Sequence, residues 1–268
     1  MIEALILYLV LGAVAGVAAG LFGIGGGLLI VPVLIFSFGL QGLPEAVVTH
    51  AAIATSLATI VITSISSVRA HHSRGSVRWD LFKPLAVGIG LGAILGVLIA
   101  DSLSGAKLQL LLGIFVLSVS VQMALDLKPK QGSQAPKNPE LGFAGACIGC
   151  ASSIFGIGGG TLTVPYLTIR RTEMREAVGT SAACGLPIAA VSALVYIWAG
   201  QDAQGMPEYS LGYIYLPAFA GIALASSQFA KVGAKLAHTL PQKRLKQVFA
   251  LFLFIVGVRF LLLNLLGA

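Results

Sequence analysis

A run of glycines that occurs twice constrains the fold of this chain more than any other feature. Phe-Gly-Ile-Gly-Gly-Gly occupies residues 22–27 and returns unchanged at residues 155–160, and Val-Pro follows each copy at the same distance. A second shared segment, Glu-Ala-Val-x-Thr-x-Ala-Ala, begins at Glu45 and again at Glu176. The chain is therefore two related halves, each opening with an apolar segment that glycines interrupt.

The composition of the chain places both halves in a membrane. Hydrophobic residues make up 57% of the 268 residues and charged residues only 10%, whereas a soluble domain carries about 25% charged residues. Several apolar stretches approach the ~20 residues that a helix needs to cross ~30 Å of hydrocarbon. We therefore predict an all-α polytopic membrane protein. The apolar stretches cover residues 4–38, 46–68, 84–100, 106–125, 141–169, 176–199, 211–230 and 247–267.

Basic residues predict how the chain is oriented. Four clusters hold 15 of the 17 Lys and Arg, whereas loops 39–45, 101–107 and 200–210 contain only Lys107. By the positive-inside rule the clusters face the cytoplasm and the three other loops face outward. Each of these loops corresponds, in the other half, to a loop of the opposite type, so we predict that the halves are inverted. The clusters are Arg69, Arg74, Arg78 and Lys83; Lys128, Lys130 and Lys137; Arg170, Arg171 and Arg175; and Lys231, Lys235, Lys243, Arg244 and Lys246.

Inversion requires that each half cross the membrane an odd number of times. Three spans follow each glycine-broken segment, so that segment must form a hairpin, either re-entrant or made of two short crossings. We predict a first repeat at 1–126, a polar, Pro-rich cytoplasmic linker at 127–140 and a second repeat at 141–268, with both termini outside. Inverted repeats of this kind are typical of secondary transporters whose site lies near the bilayer midplane.

The glycine runs themselves are candidates for binding an anion. Glycines let the backbone turn sharply and approach a ligand closely, and a half-helix that starts after them has unpaired N–H groups and a positive dipole end. The alternative is that they only allow close helix packing, as the small residues at Gly88, Gly92 and Gly96 are expected to do. The predicted backbone donors are Gly25, Gly26, Gly27, Gly158, Gly159 and Gly160, with the hydroxyls of Thr161 and Thr163 beside the second run.

The second shared segment adds polar side chains at bilayer depth. It places Thr49 and His50 one turn into a helix in the first half, and Thr180 and Ser181 at the same positions in the second. Such side chains usually face a cavity or another helix. His50 is the proton-coupling candidate because its pKa lies near neutrality; the alternative is a neutral ring bonded to a backbone carbonyl.

Cys147 and Cys150 form a Cys-x-x-Cys pair that leaves a second class of function open. A membrane-embedded thiol-redox or lipid-modifying enzyme would use these thiols. However, a zinc site needs about four ligands, and no nearby histidine or carboxylate accompanies the pair. We therefore expect the cysteines to serve packing, and we predict no catalytic residue, no metal and no cofactor.

The duplicated glycine motif, its Val-Pro and the Glu-Ala-Val-x-Thr-x-Ala-Ala helix starts resemble the TauE/SafE type of sulfite exporter family over essentially the whole chain. The resemblance implies a multi-pass permease of the bacterial inner membrane for sulfite, thiosulfate or organosulfonates. Its expected partners are a small sulfur-containing anion and the lipid bilayer, with no nucleic acid and with a homodimer left open. Substrate, direction of transport and ion coupling are not determined by the resemblance.

Overall fold

The computed structural model describes residues 2–22, 26–125, 138–236 and 242–266, and almost all of them are helical. Within these ranges ten helices and one short β-hairpin form, so the predicted all-α polytopic fold is confirmed. The linker prediction covers residues that lie largely outside the described ranges. The elements are α1 Ile2–Phe22, α2 Gly27–Leu40, α3 Glu45–His72, α4 Trp79–Ser102, α5 Gly105–Ala124, α6 Asn138–Phe155, α7 Gly160–Ile169, α8 Met174–Ala199, β1 Ser210–Leu211, β2 Ile214–Tyr215, α9 Leu216–Leu236 and α10 Gln242–Leu266.

Three long apolar helices follow the glycine-broken pair in the first half, as predicted, whereas in the second half two do and the described apolar part of α9, Leu216–Ala230, is shorter. By length and composition α3, α4, α5, α8 and residues Gln247–Leu265 of α10 can cross a membrane. Helix α9 begins at Leu216, later than its apolar stretch at 211, because the preceding residues pair as an antiparallel hairpin. Gly212 turns this hairpin with a φ of 55°, a conformation that glycine adopts readily.

The glycine runs divide their segments into helices of unequal length. The second arms, α2 and α7, contain 14 and 10 residues. At 1.5 Å per residue they extend roughly 21 and 15 Å, which is too short to cross ~30 Å of hydrocarbon. By length, the second arms therefore favour the re-entrant form of the predicted hairpin over two short crossings.

The two halves pack into each other rather than side by side. Helix α6 lies along α4 and α1 lies along α9, while α3 packs on α8 and α5 packs on α10. Helices α1, α3, α4 and α5 of the first half correspond to α6, α8, α9 and α10 of the second. Under this correspondence the α4–α6 contact matches the α1–α9 contact, and the α3–α8 and α5–α10 contacts each match themselves. These contacts do not show the direction of each half relative to a membrane, so the inverted orientation stays a prediction.

Small residues bring α4 and α6 into backbone contact. A Cβ added at Gly88, Gly92 or Gly96 would meet the backbone of Gly142, Ala146 or Cys150, respectively. The expected packing role of these three glycines is therefore confirmed. Cys150 takes part through its backbone atoms, as one of the small residues that let the helices approach.

We expect Gly92→Ala to destabilise the protein, because the new methyl group would lie 2.7 Å from the carbonyl carbon of Ala146. Overpacking of this kind costs about 1–3 kcal/mol. Gly90→Ala, in the same helix, is the matched control because nothing lies within 4 Å of its added Cβ. Thermal unfolding in detergent measures both variants, and equal melting temperatures would contradict the packing role.

The loops fall into two groups at opposite ends of α4. At its start, the Arg175 guanidinium donates to Arg74 O at 2.7 Å, and Arg78 pairs with Glu176 at 3.2 Å. At its end, Tyr213 donates to Asp101 at 3.1 Å. On the same outer side of the predicted topology, a Cβ added at Gly205 would lie 2.8 Å from Pro44 Cγ. The basic loops at 69–83 and 168–176 thus share one end.

We expect reporters fused after Gln41, Gly105 and Gln204 to read outside and those after Ser73 and Thr239 to read inside, because basic loops stay in the cytoplasm. Phosphatase and fluorescent-protein fusions in living cells measure this. If Ser73 and Gln204 report the same side, the inverted arrangement is wrong.

Candidate functional site

The two glycine runs meet in the buried interior. A Cβ added at Gly27 would lie 2.6 Å from Gly156 O and 2.9 Å from Ile157 Cα. The Ser56 hydroxyl of α3 donates to the same Gly156 oxygen at 2.9 Å, and Gly156 has a φ of 68°. Gly27 is thus a packing residue, and Gly156 turns the chain where a side chain would be strained.

Two adjacent glycines in the second run have different surroundings. A Cβ added at Gly159 would lie 2.8 Å from Ser181 O and 3.1 Å from Gly185 N, both in α8. A Cβ added at Gly158 would meet only the Ile60 side chain, at 3.6 Å. The turn is therefore packed against α8 on one side and has room on the other.

Buried hydroxyls without a hydrogen-bond partner gather where α7 begins. Thr163 and Ser181 are 0% and 1% exposed, and neither hydroxyl oxygen has a partner among the residues that the structure describes. Thr163 Oγ1 lies 3.4 Å from the Cβ position of Gly159, beside Ser181 O. The Thr161 hydroxyl is also buried and has no partner among the described residues, but it lies two residues before Thr163 and therefore on a different face of α7. An unpaired buried hydroxyl costs about 1–3 kcal/mol, so the Thr163 and Ser181 hydroxyls are candidates for contacting a ligand.

The backbone at the start of α7 adds further donors. Gly159 is the N-cap residue and supplies no side-chain hydrogen bond. The recorded first-turn bond is Thr163 N to Gly159 O, at 2.8 Å. By helix geometry the N–H groups of Gly160, Thr161 and Leu162 have no acceptor within the helix, and the dipole there carries roughly half a positive charge. We call Gly158–Thr161, Thr163 and Ser181 the hydroxyl site.

The corresponding position in the first half is apolar. Leu28 and Ile30 of α2 stand where α7 has Thr161 and Thr163, and both are buried in the core. The Ile30 N–H donates to Gly26 O at 2.9 Å, just as the Thr163 N–H donates to Gly159 O, so the two halves differ in their side chains and not in this backbone bond. The polar character therefore belongs to the second hairpin.

The structure brings only part of the predicted site together. Gly158, Gly159, Gly160, Thr161 and Ser181 converge at the start of α7. In the first half, Gly26 caps α2 and Gly27 packs against the second hairpin, while Gly25 lies outside the described residues. Thr180 is engaged elsewhere, because its hydroxyl accepts from the Arg78 backbone N–H at 3.0 Å. Thr49 is buried in α3.

His50 lies in a separate polar group near the outer loops. Its Nε2 lies 3.0 Å from Ala100 O, so this nitrogen carries the proton and donates. The ring stacks on Tyr213 at 5.2 Å, and Nδ1 has no partner among the described residues. Burial, together with the neighbouring Asp101, raises the pKa of Tyr213 to about 12, so its hydroxyl remains a donor to that carboxylate. The bond of the ring to a backbone carbonyl, expected as the alternative to a coupling role, is thus present.

Two further unpaired hydroxyls, Ser152 and Tyr166, were not anticipated. The replacement of apolar α2 residues by Thr161, Thr163, Tyr166 and Thr168 in α7 was the available signal. No sequence signal distinguished Ser152, because the hydroxyl of a serine in an apolar helix usually bonds to the backbone of its own helix.

The cysteines do not form a common centre. Cys147 is exposed, Cys150 packs against Gly96, and Cys184 is buried in α8. All three are free thiols. Among the described residues no group of three or more His, Cys, Asp or Glu side chains could hold a metal ion.

Membrane-crossing helices around a buried, partly unpaired polar site are the architecture of a multi-pass membrane transporter. The sequence model described as "Sulfite exporter TauE/SafE" matches residues 8–260, and the chain belongs to this family. A probable membrane transporter protein of Haemophilus influenzae is 40% identical over 96% of this chain and 98% of its own length. A probable membrane transporter protein of Methanocaldococcus jannaschii is 28% identical over 96% and 95%. No solved structure matches the chain.

Proposed function

We propose that this chain is a secondary transporter that exports a small sulfur-containing oxyanion across the bacterial inner membrane and binds it at the hydroxyl site. Sulfite, thiosulfate and organosulfonates are the candidate cargoes. The observation that carries the proposal is the fully buried Thr163 hydroxyl in the first turn of α7, which has no partner among the described residues. The Ser181 hydroxyl, equally buried and without a described partner, belongs to α8, whose backbone packs against Gly159. An oxyanion would accept hydrogen bonds from both side chains and from the free backbone N–H groups.

The position of the site supports alternating access. The start of α7 contacts α8 at Ser181, and the second glycine turn contacts both the first hairpin at Gly27 and α3 at Ser56. A movement of either hairpin would therefore change the surroundings of the anion. Opposite faces of a site held between two repeats can open in turn without the anion leaving the midplane.

The membrane potential supports the outward direction. An inside-negative potential favours anion exit by about 2.3 kcal/mol per charge per 100 mV. Export can therefore proceed on the potential alone, with or without a coupled proton.

The test is transport by the purified full-length protein in sealed vesicles. Radiolabelled sulfite loaded inside should leave faster than from protein-free vesicles, and an outside-positive potential should accelerate its exit. The recovered label must be chemically unchanged, which separates a transporter from the alternative thiol-redox or lipid-modifying enzyme. Equal flux with and without protein for sulfite, thiosulfate and methanesulfonate would refute the proposal.

We expect His50→Gln to bind anion with unchanged affinity, because the described contacts of His50 are with Ala100 and Tyr213 rather than with the hydroxyl site. Glutamine can still donate to Ala100 O but cannot carry a proton. The variant should therefore lose the pH dependence of transport if His50 is the coupling residue. Flux measured across a pH series decides this, and an unaltered pH profile would remove His50 from any coupling role.

A further inference from the structure

The hydroxyl site contains no formal charge to balance its ligand. Of the residues that the structure describes, those that are both polar and buried are serines, threonines and one histidine. At the site itself the donors are the hydroxyls of Thr161, Thr163 and Ser181 and the backbone N–H groups at the start of α7. As far as the described residues go, a bound anion would therefore be stabilised by dipoles and neutral hydrogen bonds.

Two arginines at the start of α8 and in the loop before α4 already have partners. Arg78, whose backbone N–H donates to Thr180, next to Ser181, pairs its guanidinium with both Asp80 and Glu176. Arg175 donates to Arg74 O and Ser76 Oγ. These side chains hold the loop 73–78 against the start of α8, and their charges lie at the exposed end of the helix.

The charge of the ligand then decides whether binding is favourable. The cost of removing an ion from water rises with the square of its charge, whereas its attraction to neutral dipoles rises only in proportion to that charge. A dianion would pay four times the desolvation cost of a monoanion of the same size and gain twice the attraction. The helix dipole, with roughly half a unit charge, cannot offset this difference.

Building on the proposed anion site, we infer that the hydroxyl site accepts singly charged oxyanions, such as hydrogen sulfite or an organosulfonate without a second acidic group, and rejects dianions such as sulfate, thiosulfate and sulfite itself. The inference therefore removes thiosulfate from the candidate cargoes. Hydrogen sulfite is sulfite that has taken one proton from water. Its passage would carry that proton across the membrane on the cargo, with no proton-binding side chain required.

The inference is tested by binding to the purified full-length protein at constant ionic strength. Methanesulfonate and sulfate are tetrahedral oxyanions of similar size that carry one and two charges, respectively, near neutral pH. Methanesulfonate should raise the melting temperature in a saturable manner, and sulfate should not. Sulfite affinity should fall about tenfold for each pH unit above the pKa of hydrogen sulfite, while methanesulfonate affinity stays constant.

A charge placed in the site provides a second readout. Thr161→Lys should shift the preference toward sulfate by about tenfold or more, because Thr161 is half-buried and an ammonium there would balance the second charge. Thr168→Lys, two turns along the same helix, is the control and should leave the preference close to wild type.

The outcomes separate the inference from the proposed function. Sulfate binding as tight as methanesulfonate, or sulfite binding that improves as the pH rises, overturns the monoanion inference and leaves an anion transporter standing. Absence of binding by all three anions overturns the anion site and the inference together.

Discussion

Replacing Thr163 with valine is expected to weaken anion binding by about ten- to a hundredfold without lowering the stability of the unliganded protein. Valine has the shape of threonine but lacks the hydroxyl, and a hydrogen bond to a charged group contributes about 1.5–3 kcal/mol. Because the Thr163 hydroxyl is buried and has no partner among the described residues, its removal leaves no protein group unsatisfied. The melting temperature of the unliganded variant should stay constant or rise.

Thr168→Val is the matched control in the same helix. The Thr168 hydroxyl donates to Val164 O at 3.0 Å and to Pro165 O at 2.9 Å, so its role is confined to the helix. Anion affinity, measured by thermal shift against methanesulfonate or sulfite concentration, should remain at the wild-type value. Similar losses in both variants would indicate a general disturbance of α7 rather than a ligand contact.

The second large effect is expected from alanine substitutions at two adjacent glycines, one of which should impair anion binding and the other stability. Gly158→Ala should abolish anion binding and transport while the protein stays as stable as wild type, because the added methyl group meets only Ile60, at 3.6 Å, and otherwise occupies open space at the site. Gly159→Ala should lower the stability by about 1–3 kcal/mol, because the methyl group would be forced to 2.8 Å from Ser181 O.

Melting temperature and anion-induced stabilisation, measured on both variants, separate these effects. The expected pattern is a stable Gly158→Ala protein that does not respond to anion and a Gly159→Ala protein that melts early. Normal binding and transport by a stable Gly158→Ala variant would show that the glycine turn is only a scaffold and that the cargo binds elsewhere.

The hydrophobic runs and glycine breaks were sufficient to predict the helical architecture. A helix in hydrocarbon must satisfy its own backbone, so a long apolar run without charges has few alternatives to a membrane-crossing helix. Helices α2 and α7 accordingly begin directly after the glycines, and α3 begins directly after Pro44. The role of Gly88, Gly92 and Gly96 was also predictable, because their spacing places them on one helix face.

The different roles of the two hairpins could be predicted only in part from the sequence. Identical glycine runs suggested two equivalent sets of backbone donors, although hydroxyls follow only the second run. The structure shows that Gly27 fits against Gly156 O and Gly159 fits against α8, so two of the predicted donors also serve packing. Which atoms lie next to a glycine depends on elements that are distant in the chain. The local sequence therefore cannot predict these contacts.

By itself, the sequence determined the membrane class, the two related halves, the approximate positions of the apolar helices and the family, because these follow from local composition and from motifs. Only the tertiary structure decided which polar groups remain unpaired. Thr180 and Ser181 are neighbours in the chain, yet the Thr180 hydroxyl accepts from the Arg78 backbone N–H, whereas the Ser181 hydroxyl has no partner among the described residues. Hydrogen-bond partners come from residues about a hundred positions away, so unsatisfied donors, and with them the candidate site, appear only once the chain is folded.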